Sequence, residues 1–435
     1  MKQIGVGLLG FGTVGAGVVD GLRRNRKVMA RRLGVELVLK RIADLDIESD
    51  RGVIVEPGLL TTDAMSVIND PEVKIIVELI GGTGVAKKLV LAALNSGKAV
   101  VTANKKLLAE HGNEIFGTAE RNGVDIYFGA SVGGGIPIIR VLREGLSGNE
   151  IQRIYGILNG TCNYILTRME NEGLPFETVL HDAQQAGYAE ADPSLDIDGF
   201  DTAHKAIILA SLAYGFHVPM QQVQVEGIRN LSGMDVQYAA EFRYRIKLLA
   251  VVRRDGDEIE VGVHPTLVPL NHMLASVSDV YNAVMVRGDL SGDTLLYGRG
   301  AGRTPTASTV IGDIGDIARN LLAGKTRYQR GVCLTNHEDV LTMRPAGEIV
   351  NRYYVRLMVR DQAGALGLIT TILGKHGVSI LAATQKESPL GQEASGYVPV
   401  VILTHAAQAT ALEEALRDIR ESSLLCEDPV KLRMI

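Results

Sequence analysis

The feature that most limits what this chain can fold into is the run Gly10-Phe11-Gly12-Thr13-Val14-Gly15, set directly after an apolar stretch and directly before a helical pattern. Glycines at that spacing permit a tight turn, let the backbone approach a pyrophosphate and let the helix press on the strand, while the helix N-terminus attracts negative charge. The motif alone is weak, because a chance glycine turn or the glycine-opened loop of a methyltransferase begins the same way. Its phase between strand and helix favours a dinucleotide. The second strand then ends in Ala43-Asp44, where a carboxylate accepts from the adenosine ribose and repels a 2′-phosphate. Lys40 and Arg41 precede it and either could serve a phosphate, so NAD and NADP both stay open.

From Lys2 to about Phe128, short apolar runs alternate with helical patterns, as in βαβ units building a parallel sheet. Strands are expected at Ile4–Leu9, Glu36–Ala43, Ile75–Leu79, Ala99–Thr102 and Asp125–Phe128. Beyond about Ala130 the alternation stops, and longer helices mix with a β-rich stretch around Glu258–Val268, an α+β pattern reaching Gly302. A helix over about 303–323 is expected to pack back on the first domain. Residues 325–350 read as a linker. A β-α-β-β-α order over 351–435 then predicts a ferredoxin-like module. The expected domains are therefore 1–130, 131–302 and 351–435, an α/β class overall.

With 435 residues, 46% apolar and 22% charged, the chain can bury several cores. A net charge of −5 without a long basic tract argues against nucleic acid as a partner. No apolar run approaches the ~20 residues that span a bilayer, and the N-terminus reads as a strand, not a signal peptide. Cys162, Cys333 and Cys426 are too scattered for a disulfide framework or a CxxC metal site, which suits a reducing cytoplasm.

Two stretches carry chemistry. Thr102-Ala103-Asn104-Lys105-Lys106 places Lys105 at the carboxyl end of a parallel strand, where open α/β sheets bind ligands; a solvated lysine at a helix start is the plainer alternative. The stretch GYAEADPSLDIDGFDTAHK, Gly187 to Lys205, is dense in carboxylates, including Glu190, Asp196 and Asp201. Asp201 and Lys205 stand four apart on one helical face, ordinarily an exposed pair. Because AIILASLAYG follows, apolar nearly all round, Lys205 is expected to enter a buried helix, and a lysine withdrawn from water titrates nearer neutrality and can take or give a proton.

The motifs GFGTVG, TANKK, ASVGGGIP, GILNGTCNYIL, GYAEADPSLDIDGFDTAHK and GRGAGRTPTAS occur in one order along the chain, and in that order it resembles the monofunctional homoserine dehydrogenases with a C-terminal ACT domain. The resemblance implies an N-terminal Rossmann domain, an α+β substrate and dimerisation domain and an ACT domain. It implies interconversion of L-homoserine and L-aspartate 4-semialdehyde with NADP or NAD, in threonine, methionine and isoleucine biosynthesis. Gly10 to Gly15, Gly187 and Gly302 would lie along the cofactor, and Lys105 at its junction with substrate. Glu190, Asp196 and Asp201 would bind homoserine, and Lys205 would transfer the proton. It also implies a sodium ion held by the carbonyls of Val132, Gly134 and Ile136 with a glutamate before them. That position is Gly129 here, so the ion would rely on neutral carbonyls and water. Cys162 stands where the family has Thr or Ser. By the same resemblance, threonine would be the effector of the ACT domain, the chain would form a homodimer or homotetramer, and the monofunctional form, without a kinase region before residue 1, is expected. A reductase of another amino-acid semialdehyde and a non-catalytic amino-acid sensor are the competing readings.

Overall fold

The computed structural model describes residues 1–215, 217–324, 341–386 and 396–435; residues 325–340 of the expected linker, with Cys333, lie outside them. Strands are numbered here along the chain. Contacts divide it into two units, Met1–Gly160, Asp201–Val223 and Val280–Leu341 in the first, and Thr161–Phe200, Gln224–Asp279 and Thr342–Ile435 in the second.

The first unit holds a six-stranded parallel sheet of β1 (Gln3–Leu9), β2 (Glu36–Ala43), β3 (Leu60–Thr61), β4 (Val73–Glu78), β5 (Ala99–Thr102) and β6 (Ile126–Tyr127). Their spatial order is β3-β2-β1-β4-β5-β6, so the chain reverses direction across the sheet between β1 and β4. Alternation of side chains explains the unbroken apolar runs. Val6, Leu8, Ile75, Val77 and Val101 enter a core on one face, and Leu9, Ile76 and Val100 enter one on the other. On the first face the helices Thr13–Arg24 and Arg303–Leu322 lie side by side, with Ala307, Val310, Ile314 and Ile317 in the sheet's own core. Gly17 makes that approach: a Cβ there would sit 2.7 Å from the Arg303 carbonyl oxygen. The unit also carries the antiparallel strands β7 (Ile151–Ile157), β11 (Tyr281–Gly288) and β12 (Gly292–Arg299).

The second unit is built on a long hairpin, β9 (Tyr244–Asp255) and β10 (Glu258–Pro269), turned at Gly256-Asp257 with Gly256 at φ +60°. The short strands β8 (Gln224–Val225) and β13 (Thr342–Met343) pair with β10, so the end of the expected linker contributes a strand. Next come β14 (Val350–Arg360), the helix Ala365–Lys375, β15 (Ile380–Gln385), β16 (Tyr397–Thr404), β17 (Ala407–Gln408), the helix Ala409–Glu421 and β18 (Val430–Met434). The order β18-β14-β16-β15 is the ferredoxin-like sheet, with both helices packed on one core. Its closing strand β18, which the sequence pattern does not signal, pairs in parallel with β10 at Thr266 and Arg433.

One ion pair ties β14 to the helix Gly233–Glu241 within this unit. Arg356 donates to Asp235 at 2.7 Å, and Tyr354 donates to the same carboxylate at 3.0 Å. Asp235 is fully buried, and it also closes a capping box with Ser232 at the start of its helix. Removing one partner of such a pair strands the other charge away from water. Arg356→Met is therefore expected to lower the opening free energy of the helix Gly233–Glu241 by roughly 3–5 kcal/mol, read as loss of amide hydrogen-exchange protection; unchanged protection would remove the pair from the account.

Candidate active site

The carboxyl end of β1 is shaped for close backbone approach. Gly10 sits at φ +97°, and a Cβ there would meet the Leu79 carbonyl at 2.6 Å; a Cβ at Gly15 would lie 2.3 Å from the Gly10 oxygen. Only glycine satisfies either position. Gly12, by contrast, faces open space and begins the helix Thr13–Arg24 with no side chain capping it, so Thr13 and Val14 open a bare helix N-terminus. Asp44, at the end of β2, accepts from the Phe11 N–H at 2.5 Å and from the Asp46 N–H at 2.9 Å, which fixes the loop. The arrangement fits a dinucleotide: an open N-terminus beside a tight glycine turn, at the point where strand order reverses. Lys40 and Arg41 instead pair with Glu72 and Asp70, which precede β4, and neither joins Asp44 at the loop.

Further along the same sheet, β5 delivers Lys105. Thr102 donates to the buried Glu78 carboxylate at 2.6 Å, and the Asn104 N–H donates to the Thr102 hydroxyl at 3.0 Å. Asn104 caps the helix Lys105–Asn122 by accepting from the Leu107 N–H at 3.1 Å, so Lys105 is that helix's first residue. Its ammonium reaches Asp201 and stays about one-third exposed. The plainer expectation of a merely solvated lysine is thus replaced by an ion pair.

Asp201 and Lys205 lie on the helix Phe200–Tyr214, where every residue from Asp201 to Ala210 is buried. Lys205 donates to Asp201 at 2.6 Å and to the Leu158 carbonyl at 2.6 Å, and Asn159 donates to Asp201 at 2.9 Å. Burial works to raise the Asp201 carboxyl, but Lys205 and then Lys105, by charge and by hydrogen bonding, hold it well below the usual carboxylate range. One ionised carboxylate thus organises two cations, which leaves a net positive centre when both lysines are protonated. Such a centre can bind a carboxylate, stabilise a developing alkoxide and exchange a proton with it.

Sequence reasoning left Leu158, Asn159 and Glu78 without roles. The first two lie inside the motif GILNGTC, and Glu78 is a lone acid in an otherwise apolar strand, a signal that could have found it. The remaining candidates are spread over both units. In the first, Gly302 stands at φ +116° at the start of the helix Arg303–Leu322. In the second, Gly187 takes φ +74°, Glu190 is exposed, and Asp196 lies 3.2 Å from the Thr161 hydroxyl. Cys162 is buried, with its thiol donating to the Asp196 carbonyl at 3.2 Å, a packing role. No helix among the described residues is long and apolar enough to cross a membrane.

Residues 10–129 match the family model described as the homoserine dehydrogenase NAD binding domain, residues 137–314 that of homoserine dehydrogenase, and residues 353–421 that of the ACT domain. The homoserine dehydrogenase of Neisseria gonorrhoeae is 44% identical, over 99% of this chain and 98% of its own length. A crystal structure of a homoserine dehydrogenase from Thiobacillus denitrificans superposes with a TM-score of 0.93 at 42% identity, covering 100% of this chain and 99% of the other. A hyperthermophilic archaeal homoserine dehydrogenase in complex with NADPH gives a TM-score of 0.62 at 29% identity, over 72% of this chain and 97% of its own. By its sequence and by its fold, the chain belongs to the homoserine dehydrogenase family.

Proposed function

We propose that Lys205 moves the proton in the reversible conversion of L-aspartate 4-semialdehyde to L-homoserine, and that Asp201 and Lys105 set the charge around it. The observation that carries this reading is the triad in which the buried Lys205 and the partly exposed Lys105 meet one buried carboxylate. In the reducing direction the Lys205 ammonium gives its proton to the carbonyl oxygen as that oxygen takes on charge; in reverse it accepts the proton of the hydroxyl. The nicotinamide, when bound, supplies or accepts the hydride. Lys105, first residue of its helix and partly open to solvent, polarises the carbonyl or holds the substrate carboxylate. The Leu158 carbonyl and Asp201 together aim the Lys205 ammonium.

In the same reading Glu190 meets the substrate ammonium, with Asp196 nearby, and Gly187 and Gly302 lie along the coenzyme. Asp201 contributes through its lysines, since these and Asn159 engage its oxygens. The coenzyme is NAD or NADP, on the loop Gly10 to Gly15. Residues 1–130 hold it, 131–302 serve substrate and self-association as a homodimer or homotetramer, and the ACT module responds to an amino acid such as threonine. The scattered cysteines Cys162, Cys333 and Cys426 suit a reducing cytoplasm. Among the two competing readings, a non-catalytic sensor has no use for two lysines held on one buried carboxylate.

Three outcomes follow for turnover of aspartate semialdehyde, monitored by oxidation of the reduced coenzyme. Lys205→Ala lowers kcat by about 10²–10⁴ with coenzyme affinity nearly intact; an equal loss of coenzyme binding would dismiss its assigned role. Glu190→Gln chiefly raises the KM for homoserine in the oxidising direction, because the charge facing the ammonium is gone, and an unmoved KM would withdraw that assignment. Asp44→Asn keeps an acceptor for the loop but removes a negative charge, so the ratio of kcat/KM with NADPH to that with NADH rises by roughly tenfold; a fixed ratio would place Asp44 away from the ribose.

A further inference from the structure

The turn from Gly129 to Ile136 is where the family resemblance implies a monovalent cation, and the residues present do not suit one. Gly129 brings no carboxylate, and the position cannot regain a side chain cheaply: a Cβ there would lie 2.9 Å from Asp313 Oδ1 and 2.9 Å from the Thr309 methyl carbon. Both neighbours come from the helix Arg303–Leu322. Asp313 accepts from the Gly129 N–H at 2.8 Å, and Thr309, four residues earlier on the same helical face, donates to the Gly134 carbonyl at 2.7 Å. The Ile136 carbonyl accepts from the Ile138 N–H at 2.8 Å. Two of the three carbonyls that would have faced the ion are therefore already spending a lone pair inside the protein. Among the described residues there is also no group of three or more His, Cys, Asp or Glu side chains able to hold a metal.

Charge is supplied by the chain as well. Burial raises the Asp313 carboxyl to about 6 against the opposing pull of the Gly129 N–H, then of Arg143 and Arg140, toward the ionised form. Arg143 is fixed over the Tyr127 ring at 4.5 Å, and Arg140 pairs with Asp316, one turn beyond Asp313. Two tethered guanidinium groups thus supply positive charge to Asp313.

We propose that in this protein Asp313 and Thr309 form a bracket that holds the turn Gly129–Ile136 in place of a cation, so that neither folding nor turnover needs sodium or potassium. The inference stands apart from the roles given to Lys205 and Glu190, because its main readouts are stability and ion binding.

The experiment compares the full-length protein in sodium, potassium and tetramethylammonium chloride at one ionic strength, the last ion being too large for such a site. The expected result is the same Tm and the same turnover in all three salts, and a ²³Na line width no greater than with an unrelated protein of similar size. Thr309→Val should then lower Tm by roughly 2–4 °C in every salt, whereas Thr309→Ser, which keeps the hydroxyl, should stay near the parent. Asp313→Asn should act like Thr309→Val, and if it fails to fold the threonine pair still decides. A Tm that climbs and saturates with sodium or potassium, or ²³Na broadening that potassium displaces, would overturn the proposal. So would Thr309→Val melting with the parent.

Discussion

A carboxylate with 2% of its surface exposed, such as Asp201, is stable only if its environment returns what water would have given, and the site is arranged around meeting that condition. Stripping water from an ion of this size costs several kcal/mol even after relaxation, so each partner of Asp201 is there by necessity. Two ammonium groups and one amide provide the return. Because the helix Phe200–Tyr214 is buried from Asp201 to Ala210, neither Asp201 nor Lys205 can relax toward solvent, and the pair is held in register. The placement of Lys105 follows from the same carboxylate. A charge that must be neutralised for the chain to fold thus fixes two ammonium groups in place, the preorganisation that a site stabilising developing charge requires.

The helix Arg303–Leu322 imposes a second constraint, because it completes two structures at once. Its apolar residues close one face of the parallel sheet against Gly17, and its Asp313 and Thr309 reach the turn at Gly129 and Gly134. A helix seated in a core by Val310, Ile314 and Ile317 cannot shift without opening a cavity, so the polar contacts it carries inherit the stiffness of that core. The turn at Gly129 and Gly134 is thereby tied to a packed helix.

What the sequence disclosed, and what it withheld, divides along the range of the interactions involved. Glu36–Ala43 and Ala99–Thr102 are legible to the residue because strands covered on both faces must be apolar throughout. Leu60–Thr61 and Val430–Met434 are not, since a two-residue strand, or one reading VKLRM, is specified by the partner it pairs with. At the site, the pairing of Asp201 with Lys205 is visible as an i, i+4 spacing followed by an apolar helix. Lys105 and Asn159 join the same carboxylate through tertiary folding alone, and no local pattern reports it. Asp313 was hidden for the same reason: it sits in a helix whose apolar spacing is read first, and its meaning appears only when Gly129 is found against it.

The ACT-like module also has less independence than a regulatory domain on a tether would. Within the second unit its last strand is hydrogen-bonded to β10 of the long hairpin, so the two sheets are one. Arg433, at that junction, extends to Glu226 at 2.9 Å and Gln224 at 2.7 Å, and the second of these lies in β8, itself paired with β10. Arg356 makes a second tie, from β14 to the helix Gly233–Glu241. Separating module from hairpin would break ladder hydrogen bonds and leave the Asp235 carboxylate buried without its cation, a combination that costs more than ordinary binding of a small amino acid returns. A ligand on this module therefore has to act by changing the twist or the strand spacing of a shared sheet, which reaches β10 directly, and not by undocking a separate domain.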